Sequence, residues 1–279
     1  LVDFEVRIKK SNFRFNKLNR KFHFFIFYTI HIYINLKMTI SIITWNILAH
    51  EWLIHDKYIS KIKHNVNLNR KDRLDIIIHK LKKYNTDIIC LQEVMKYEFS
   101  IIKKNFPNYI ATSLKPIIWY DTHISSESGN IILLKKNKFT NVKQYNETHY
   151  CYVKCIYNKQ SLFIYNIHLD DVNKLNRYIN IQQILNNTHH KTDKIIIAGD
   201  FNENYDSNNK LYKTLIKNKY KITNKHTNTY ILNNKLNIDN IIFNGFKLFK
   251  YYVNSSIKNP IEQLHLYGTD HFYIVALLL

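Results

Sequence analysis

Carboxylates, amides and histidines recur at the ends of short apolar runs along this chain. The run Ile195-Ile196-Ile197-Ala198 stops at Gly199-Asp200-Phe201-Asn202. A β-rich run that ends in Gly-Asp reads as a buried strand delivering an acid to a sheet edge, with the Asn202 amide two residues on. The same pattern appears at Trp45-Asn46, Gln92-Glu93, Asn166-Ile167-His168, Ile238-Asp239-Asn240 and Asp270-His271. Strand ends at one edge of a sheet converge in space. Their inventory is oxygen ligands and two histidines without a thiolate cluster, which suits a hard cation, Mg²⁺ or Mn²⁺, better than Zn²⁺. A cation beside acids and histidines is apparatus for hydrolysing a phosphodiester: the cation neutralises phosphate charge, and an Asp orients or deprotonates water. Taken singly, each residue has a plainer account. Asn46 and Asp239 read as turn residues, Glu93 as a solvated strand end and His168 as a hydrogen-bonded structural histidine. The plainer account leaves the recurrence at so many strand ends unexplained.

Those strand ends need strands. The β-branched run 39–45 predicts one that ends at Asn46, and 87–91 predicts a short buried strand leading into Gln92-Glu93. Between them Leu74, Ile77, Ile78 and Leu81 recur at helical spacing and predict a helix over 72–83, which Arg73 opens. Further helices are expected over 97–105 and 174–186, and further strands over 131–134, 150–157, 162–167, 194–198, 238–243, 248–253 and 272–277. Strand pairs such as 150–157 with 162–167 suggest antiparallel hairpins. The order therefore favours an α/β sandwich of two mixed sheets flanked by helices over a doubly wound parallel sheet.

At 279 residues and 46% hydrophobic, the chain is long enough for one large α/β domain with a sizeable core. The formal charge of +20 suggests a polyanionic partner. That signal is diluted by a composition crowded with Lys, Asn, Ile and Tyr and holding only 4 Gly and 3 Pro. Three cysteines argue against a disulfide framework; Cys151 and Cys155 lie about 13 Å apart along a strand, too far to bridge. A reducing, intracellular compartment, cytoplasm or nucleus, is the expectation. Residues 1–37 precede the first Met, Met38, and carry a net +6, so +14 remains on residues 38–279. Their apolar run, 22–34, is shorter than the roughly 20 residues a bilayer span needs. Residues 1–37 are expected to be disordered or upstream sequence outside the domain, a signal anchor being the minority reading, and 38–279 to be one domain with no transmembrane segment.

Thr-Trp-Asn at 44–46, Leu-Gln-Glu-Val at 91–94, Asn-Ile-His-Leu at 166–169, Gly-Asp-Phe-Asn at 199–202, Ile-Asp-Asn at 238–240 and Thr-Asp-His at 269–271 occur in one order along the chain. As a set they resemble the endonuclease/exonuclease/phosphatase superfamily of Mg²⁺-dependent phosphoesterases. The resemblance implies a four-layered α/β sandwich. It implies a metal site at Asn46 and Glu93, with Glu93 the direct ligand and Asp270 a metal-side carboxylate. Asp200 would align or activate the attacking water, and Asn202 would hold the water or the scissile phosphate. His168 would bind a phosphate oxygen, and His271, oriented by Asp239, would lie at the phosphate. The chain departs from the family pattern at Asn240, where Tyr or Arg is usual, and at Thr269, where Ser is usual. Trp-Asn-Ile-Leu-Ala at 45–49 and Asp-Ile-Ile-Cys-Leu-Gln-Glu-Val at 87–94 are similar to the nocturnin and carbon-catabolite-repressor-type deadenylases. This branch implies a 3′-exoribonuclease acting on RNA rather than DNA, and a monomer is the expectation. A tyrosyl-DNA or abasic-site phosphodiesterase, or a small phosphate-ester phosphatase, is the alternative on the same site, and an inactive nucleic-acid-binding module is the alternative of another class. Trp52, Trp119, Tyr120 and Tyr205 could stack on bases, although core or ordinary surface positions are the commoner fate of such rings.

Overall fold

The computed structural model describes residues 39–53, 69–121, 124–187, 193–232, 236–255 and 259–279, without the side chains of 119–125. The expectation for residues 1–37 falls outside them, as do the side chains of Trp119 and Tyr120. Two units of alternating type dominate the fold. In the first, strand β1 (Ile40–Asn46) runs through helices α1 (His50–Leu53) and α2 (Arg70–Tyr84) into the parallel strand β2 (Ile88–Met95). In the second, strand β8 (Gln160–His168) runs through helix α4 (Lys174–Asn186) into the parallel strand β9 (Lys194–Asp200). The remaining strand pairs among the described residues are antiparallel. Around β1 and β2 lie β3 (Tyr109–Ala111), β4 (Ile117–Asp121), β5 (Ile124–Lys135), β12 (Leu248–Val253) and β13 (Ile274–Leu278), in the order β12-β13-β1-β2-β5-β3 with β4 on β5. Around β8 and β9 lie β6 (Thr140–Asn146), β7 (Tyr150–Tyr157), β10 (Lys221–Ile222) and β11 (Asp239–Asn244), in the order β10-β11-β9-β8-β7-β6.

Strand alternation sorts the side chains into layers. Ile40, Ile42, Ile88 and Cys90 meet Ile164, Ile196, Ala198, Ile241 and Phe243 in the core between the sheets. The intervening residues Ile43, Trp45, Ile89 and Leu91 face outward beneath α2 and α3 (Lys96–Asn105), against Leu74, Ile77, Leu81 and Ile102. On the other side Tyr165, Ile195 and Ile197 pack beneath α4 and α5 (Lys210–Lys217), against Ile181, Ile184 and Leu215. The result is helix, sheet, sheet, helix: the four-layered sandwich of two mixed sheets. The three cysteines are buried and free.

Differences from the sequence-based expectations lie in the periphery. The strand expected over 131–134 extends over Ile124–Lys135, and β3, β4, β6, β10 and helices α1, α5 and α6 (Pro260–Tyr267) are additional elements. The burial of β6 reads as a nearly continuous exposed edge, so no alternation marks it. The α5 and α6 helices are eight residues each and start at Asn209 and Asn259, whose side chains accept from Leu211 N and Ile261 N. Asn also caps α2 and α4, through Asn69 and Asn173. In a chain with four glycines, Asn85, Asn141, Asn158 and Asn202 take left-handed positions that glycine often holds.

Asp87 pins the start of β2. Its carboxylate accepts from Ser41 N and Ser41 Oγ at 2.9 Å and pairs with Lys138 Nζ at 2.8 Å. Burial alone would raise its pKa, but Lys138 and the Ser41 donors hold it below the ordinary carboxylate value. Stability from a depressed acid is complete above the unfolded-state value of about 3.9 and is lost as pH falls through the lower folded-state value. Asp87→Asn should therefore cost about 1–3 kcal/mol at pH 7. In urea unfolding the gap from wild type should narrow as pH is lowered below about 4.

Candidate active site

The inter-sheet face is apolar along most of its depth and turns polar at one mouth. Continuing the alternation of Ile40 and Ile42 along β1 reaches Thr44 and Asn46. The same continuation reaches Gln92 on β2, Asn166 and His168 on β8, and Asp200 on β9. All four strands point their C-terminal ends to this mouth. Strand β11 runs antiparallel to β9, with Asp239 opposite Asp200, so it contributes from its start. Asp270 and His271 arrive from the segment before β13, which runs antiparallel to β1.

Glu93 is an exception that the backbone corrects. Alternation would send it outward with Ile89 and Leu91. The register of β2 against β5 shifts between Leu91 and Val94, leaving two residues of β2 opposite one of β5. Glu93 itself takes φ +57°. A bulge of this kind re-aims a side chain, and here it turns the carboxylate into the mouth.

The eight expected residues come together there. Asn46 Nδ2 donates to Glu93 Oε1 at 2.7 Å and to Asp200 Oδ2 at 3.1 Å, joining the two sheets. Carboxylates only accept, so the amide must present its amino group to them. Asn46 Oδ1 in turn accepts from Leu48 N, and Ala49 N donates to Glu93 Oε2 at 2.9 Å. Asn46 therefore positions Glu93 and Asp200 through its amino group. His168 Nε2 lies 3.8 Å from Glu93 Oε1 and 3.9 Å from Asp200 Oδ2. His271 Nε2 lies 3.8 Å from Asp200 Oδ2 and 3.9 Å from Asp270 Oδ1. His271 Nδ1 is 2.8 Å from Asp239 Oδ2, which fixes the proton on Nδ1 as the donor. Asn202 N donates to Asp200 Oδ1, and its side-chain Nδ2 donates to Leu169 O. The second N–H of that amide has no partner among the described residues.

Burial and charge act together here. Glu93, Asp200, Asp239, Asp270 and His271 are all buried. Burial, and then the neighbouring Asp239, push the Asp200 carboxyl above its ordinary value. For His271 burial favours the neutral ring, but Asp239, Asp270 and Asp200 outweigh it and raise the pKa well above the ordinary value. The ring thus sits among three acids that favour its protonated form.

Four groups that sequence reasoning does not single out as site residues, three of them buried, support the mouth. Gln92 and Asn166, read as strand-end polar groups, bridge the sheets directly: Gln92 Nε2 donates to Asn166 Oδ1 and to Thr44 Oγ1, and Asn166 Nδ2 donates to Leu91 O and Ile131 O. The Tyr230 ring lies 5.0 Å from the His271 ring, in a loop without periodicity that could have announced it. Arg73, buried in α2, donates to Ile47 O, Leu48 O and Gly268 O, tying the loop after β1 to the turn before Thr269. Among the rings considered for base stacking, Trp52 packs on the Leu48, Leu53 and Leu264 cluster, and Tyr205 packs edge-on against Tyr212 at 4.9 Å. Asn240 is buried and bonded to Asn224, so that departure from the family pattern is absorbed in the wall.

Comparison with known proteins places a chain of this geometry in a class. The model of the Endonuclease/Exonuclease/phosphatase family matches residues 43–271. The chain belongs to this family of phosphate-ester hydrolases. Its fold is similar to that of ANGEL2, described as a 2′,3′-cyclic phosphatase (14% identity, 86% of this chain and 95% of that one, TM-score 0.70). It is also similar to the human nocturnin catalytic domain with bound sulfate (17% identity, 86% and 94%, TM-score 0.61). A third likeness is to D. rerio TDP2 in complex with single-strand DNA product (15% identity, 86% and 99%, TM-score 0.60). No curated protein matches the sequence. Among the described residues no helix is long and apolar enough to cross a membrane.

Gly199 sets how closely β8 and β9 approach beneath Asp200. It has φ +143°, and a Cβ there would lie 2.0 Å from Ile167 O. Gly199→Ala should lower stability by more than about 3 kcal/mol, through backbone strain and steric overlap. Thermal unfolding monitored by circular dichroism checks this.

Proposed function

We propose that this chain is a Mg²⁺- or Mn²⁺-dependent phosphodiesterase of nucleic acid, with RNA as substrate and 3′-end poly(A) removal as its activity. The observation that carries the reading is the meeting of Glu93 and Asp200, from different sheets, on the single amide of Asn46 with His168 within 4 Å of both. The donor set fits a hard cation. Glu93, Asp200 and Asp239 are buried without a Lys or Arg partner among the described residues, in a chain with 41 Lys and Arg. Uncompensated buried carboxylates are costly. Glu93, positioned by Asn46, would hold the cation together with Asp270. The cation, when bound, supplies positive charge to the scissile phosphate.

The ligand atoms of Asp200, Asp239 and His271 also lie within 4.8 Å of one another. We read that trio as catalytic rather than metal-holding, because His271 Nδ1 is engaged by Asp239 at 2.8 Å and the carboxylates Glu93 and Asp270 are at hand for the cation. Asp200 accepts a proton from, or orients, the attacking water, and its raised pKa brings it closer to the range of a useful base. Asn202 turns its second amide N–H toward the water or phosphate. His168 donates to a non-bridging phosphate oxygen. His271, oriented by Asp239, stabilises the charge that develops on the phosphate.

Support for RNA comes from the Trp-Asn-Ile-Leu-Ala and Leu-Gln-Glu-Val segments at 45–49 and 91–94. A second reading, hydrolysis of DNA or a small phosphate ester on the same site, draws on the fold likeness to TDP2 and ANGEL2. A panel of poly(A) RNA, mixed RNA, abasic DNA, a 5′-tyrosyl oligonucleotide and an inositol phosphate separates the two, poly(A) being cleaved fastest under the first. Asp200→Ala should lower kcat by about 10²–10⁴-fold, and Asp200→Ala activity equal to wild type would sink the mechanism. Asp239→Asn should lower kcat about 10²-fold by loosening His271. Removing divalent ions with EDTA should stop hydrolysis, and adding Mg²⁺ or Mn²⁺ should restore it.

A further inference from the structure

Beside the mouth, on the side of the first sheet, lies a groove of about 480 Å³ that the proposed chemistry does not use. The size is that of a small-ligand site. One wall is the ring of Tyr97, 42% exposed, with the Arg70 guanidinium 4.5 Å above its centroid. Arg70 cannot swing away freely, because Nε and a terminal nitrogen bond both oxygens of the buried Glu98 at 2.7 and 2.8 Å. Ile118, 54% exposed on β4, also lines the groove. The groove thus has a flat, preorganised cation–aromatic wall and an aliphatic counterpart, the arrangement in which a planar ring is sandwiched.

The polar lining says what kind of ring. Lys96 is paired with Glu127 at 2.9 Å, so this cation is already satisfied at the rim. Glu51 also lines the groove, and its Oε2 is buried without a hydrogen-bond partner among the described residues. A carboxylate oxygen only accepts, so it calls for an N–H donor from the occupant. A phosphate would be repelled by Glu51, and an aliphatic ligand would leave the carboxylate unanswered. The groove is also close to the acids. Tyr97 is four residues beyond Glu93, at most about 13 Å of extended chain. Glu51 lies two residues beyond Ala49, whose N–H bonds Glu93.

We infer that this groove is a nucleobase subsite: it sandwiches the base of a nucleotide neighbouring the scissile bond between Tyr97–Arg70 and Ile118, with Glu51 accepting from an exocyclic amino group. The inference rests on the phosphodiesterase reading and narrows its substrate to single-stranded nucleic acid with amino-bearing bases at that position. The test is fluorescence-anisotropy binding of labelled 12-mers of A and of U to the full chain in EDTA, where no cleavage occurs. Wild type should bind A12 more tightly than U12. Tyr97→Ala should weaken A12 binding by about 5–100-fold, the range of one lost base–aromatic stack. Glu51→Gln should shrink the A12 over U12 preference at least threefold while circular dichroism stays as in wild type. Equal binding of A12 and U12 by wild type, or A12 affinity unchanged in both variants, would overturn the subsite. Hydrolysis of bis(p-nitrophenyl) phosphate by the wild-type chain with Mg²⁺ reports on the phosphodiesterase reading separately. Its absence with the A12 preference intact would remove the reaction and leave the subsite.

Discussion

The side-chain amide of Asn46 holds two carboxylates from two different sheets. Glu93 and Asp200 share one nitrogen, at 2.7 and 3.1 Å. Two buried acids this close repel, and an arrangement of this kind persists only when surrounding structure over-determines it. That surrounding structure is visible. The β2 bulge aims Glu93 inward, Leu48 N and Ala49 N lock Asn46 and Glu93 in place, and the missing side chain of Gly199 lets β9 sit against β8. The hydrogen-bonded pair Gln92 and Asn166 crosses between the sheets just beneath.

The same design occurs twice. Each sheet has one parallel pair of strands joined by a helix, and each helix carries an arginine at its fourth residue, Arg73 in α2 and Arg177 in α4. Both are buried and both donate to carbonyls of the loop that follows the preceding strand: Ile47 and Leu48 for Arg73, Asp170 and Asp171 for Arg177. Each also reaches a second loop of the mouth, Arg73 to Gly268 O and Arg177 to Glu203. Two equivalent clamps thus fix the four loops that carry Asn46, Asp270, His168 and Asp200. Multidentate guanidinium donation to carbonyls is a role lysine could not copy.

The charge of the chain has a local meaning that composition concealed. Among the described residues, a molecule of +20 keeps its buried acids away from its lysines at this one mouth. The nitrogen-bearing rings nearest Asp200 are the two imidazoles of His168 and His271, at 3.9 and 3.8 Å. Net charge describes encounter with an anion, whereas the mouth is arranged around a deficit of protein cations.

Much of the fold and of the mouth is legible in the amino-acid sequence. Strand ends with Asn46, Glu93, His168, Asp200 and Asp270-His271 can be read there because apolar runs of period two fix which residues end a buried strand, a property of local chain chemistry. The first parallel unit is legible through the helical spacing of Leu74, Ile77, Ile78 and Leu81. Strands β3, β4 and β6 are not, because edge strands bury too little to show alternation, and Tyr230 and Arg73 owe their positions to contacts far away in sequence. The inward turn of Glu93 is also unreadable, since strict alternation points it the other way and only pairing with β5 creates the bulge. The sequence by itself determined which residues could do chemistry and on which elements they ride, because strand period and turn chemistry are local. Only the tertiary structure decided that Asn46 serves as a bridge and that His271 sits among three acids, because both follow from distances between carboxylates that meet across two sheets.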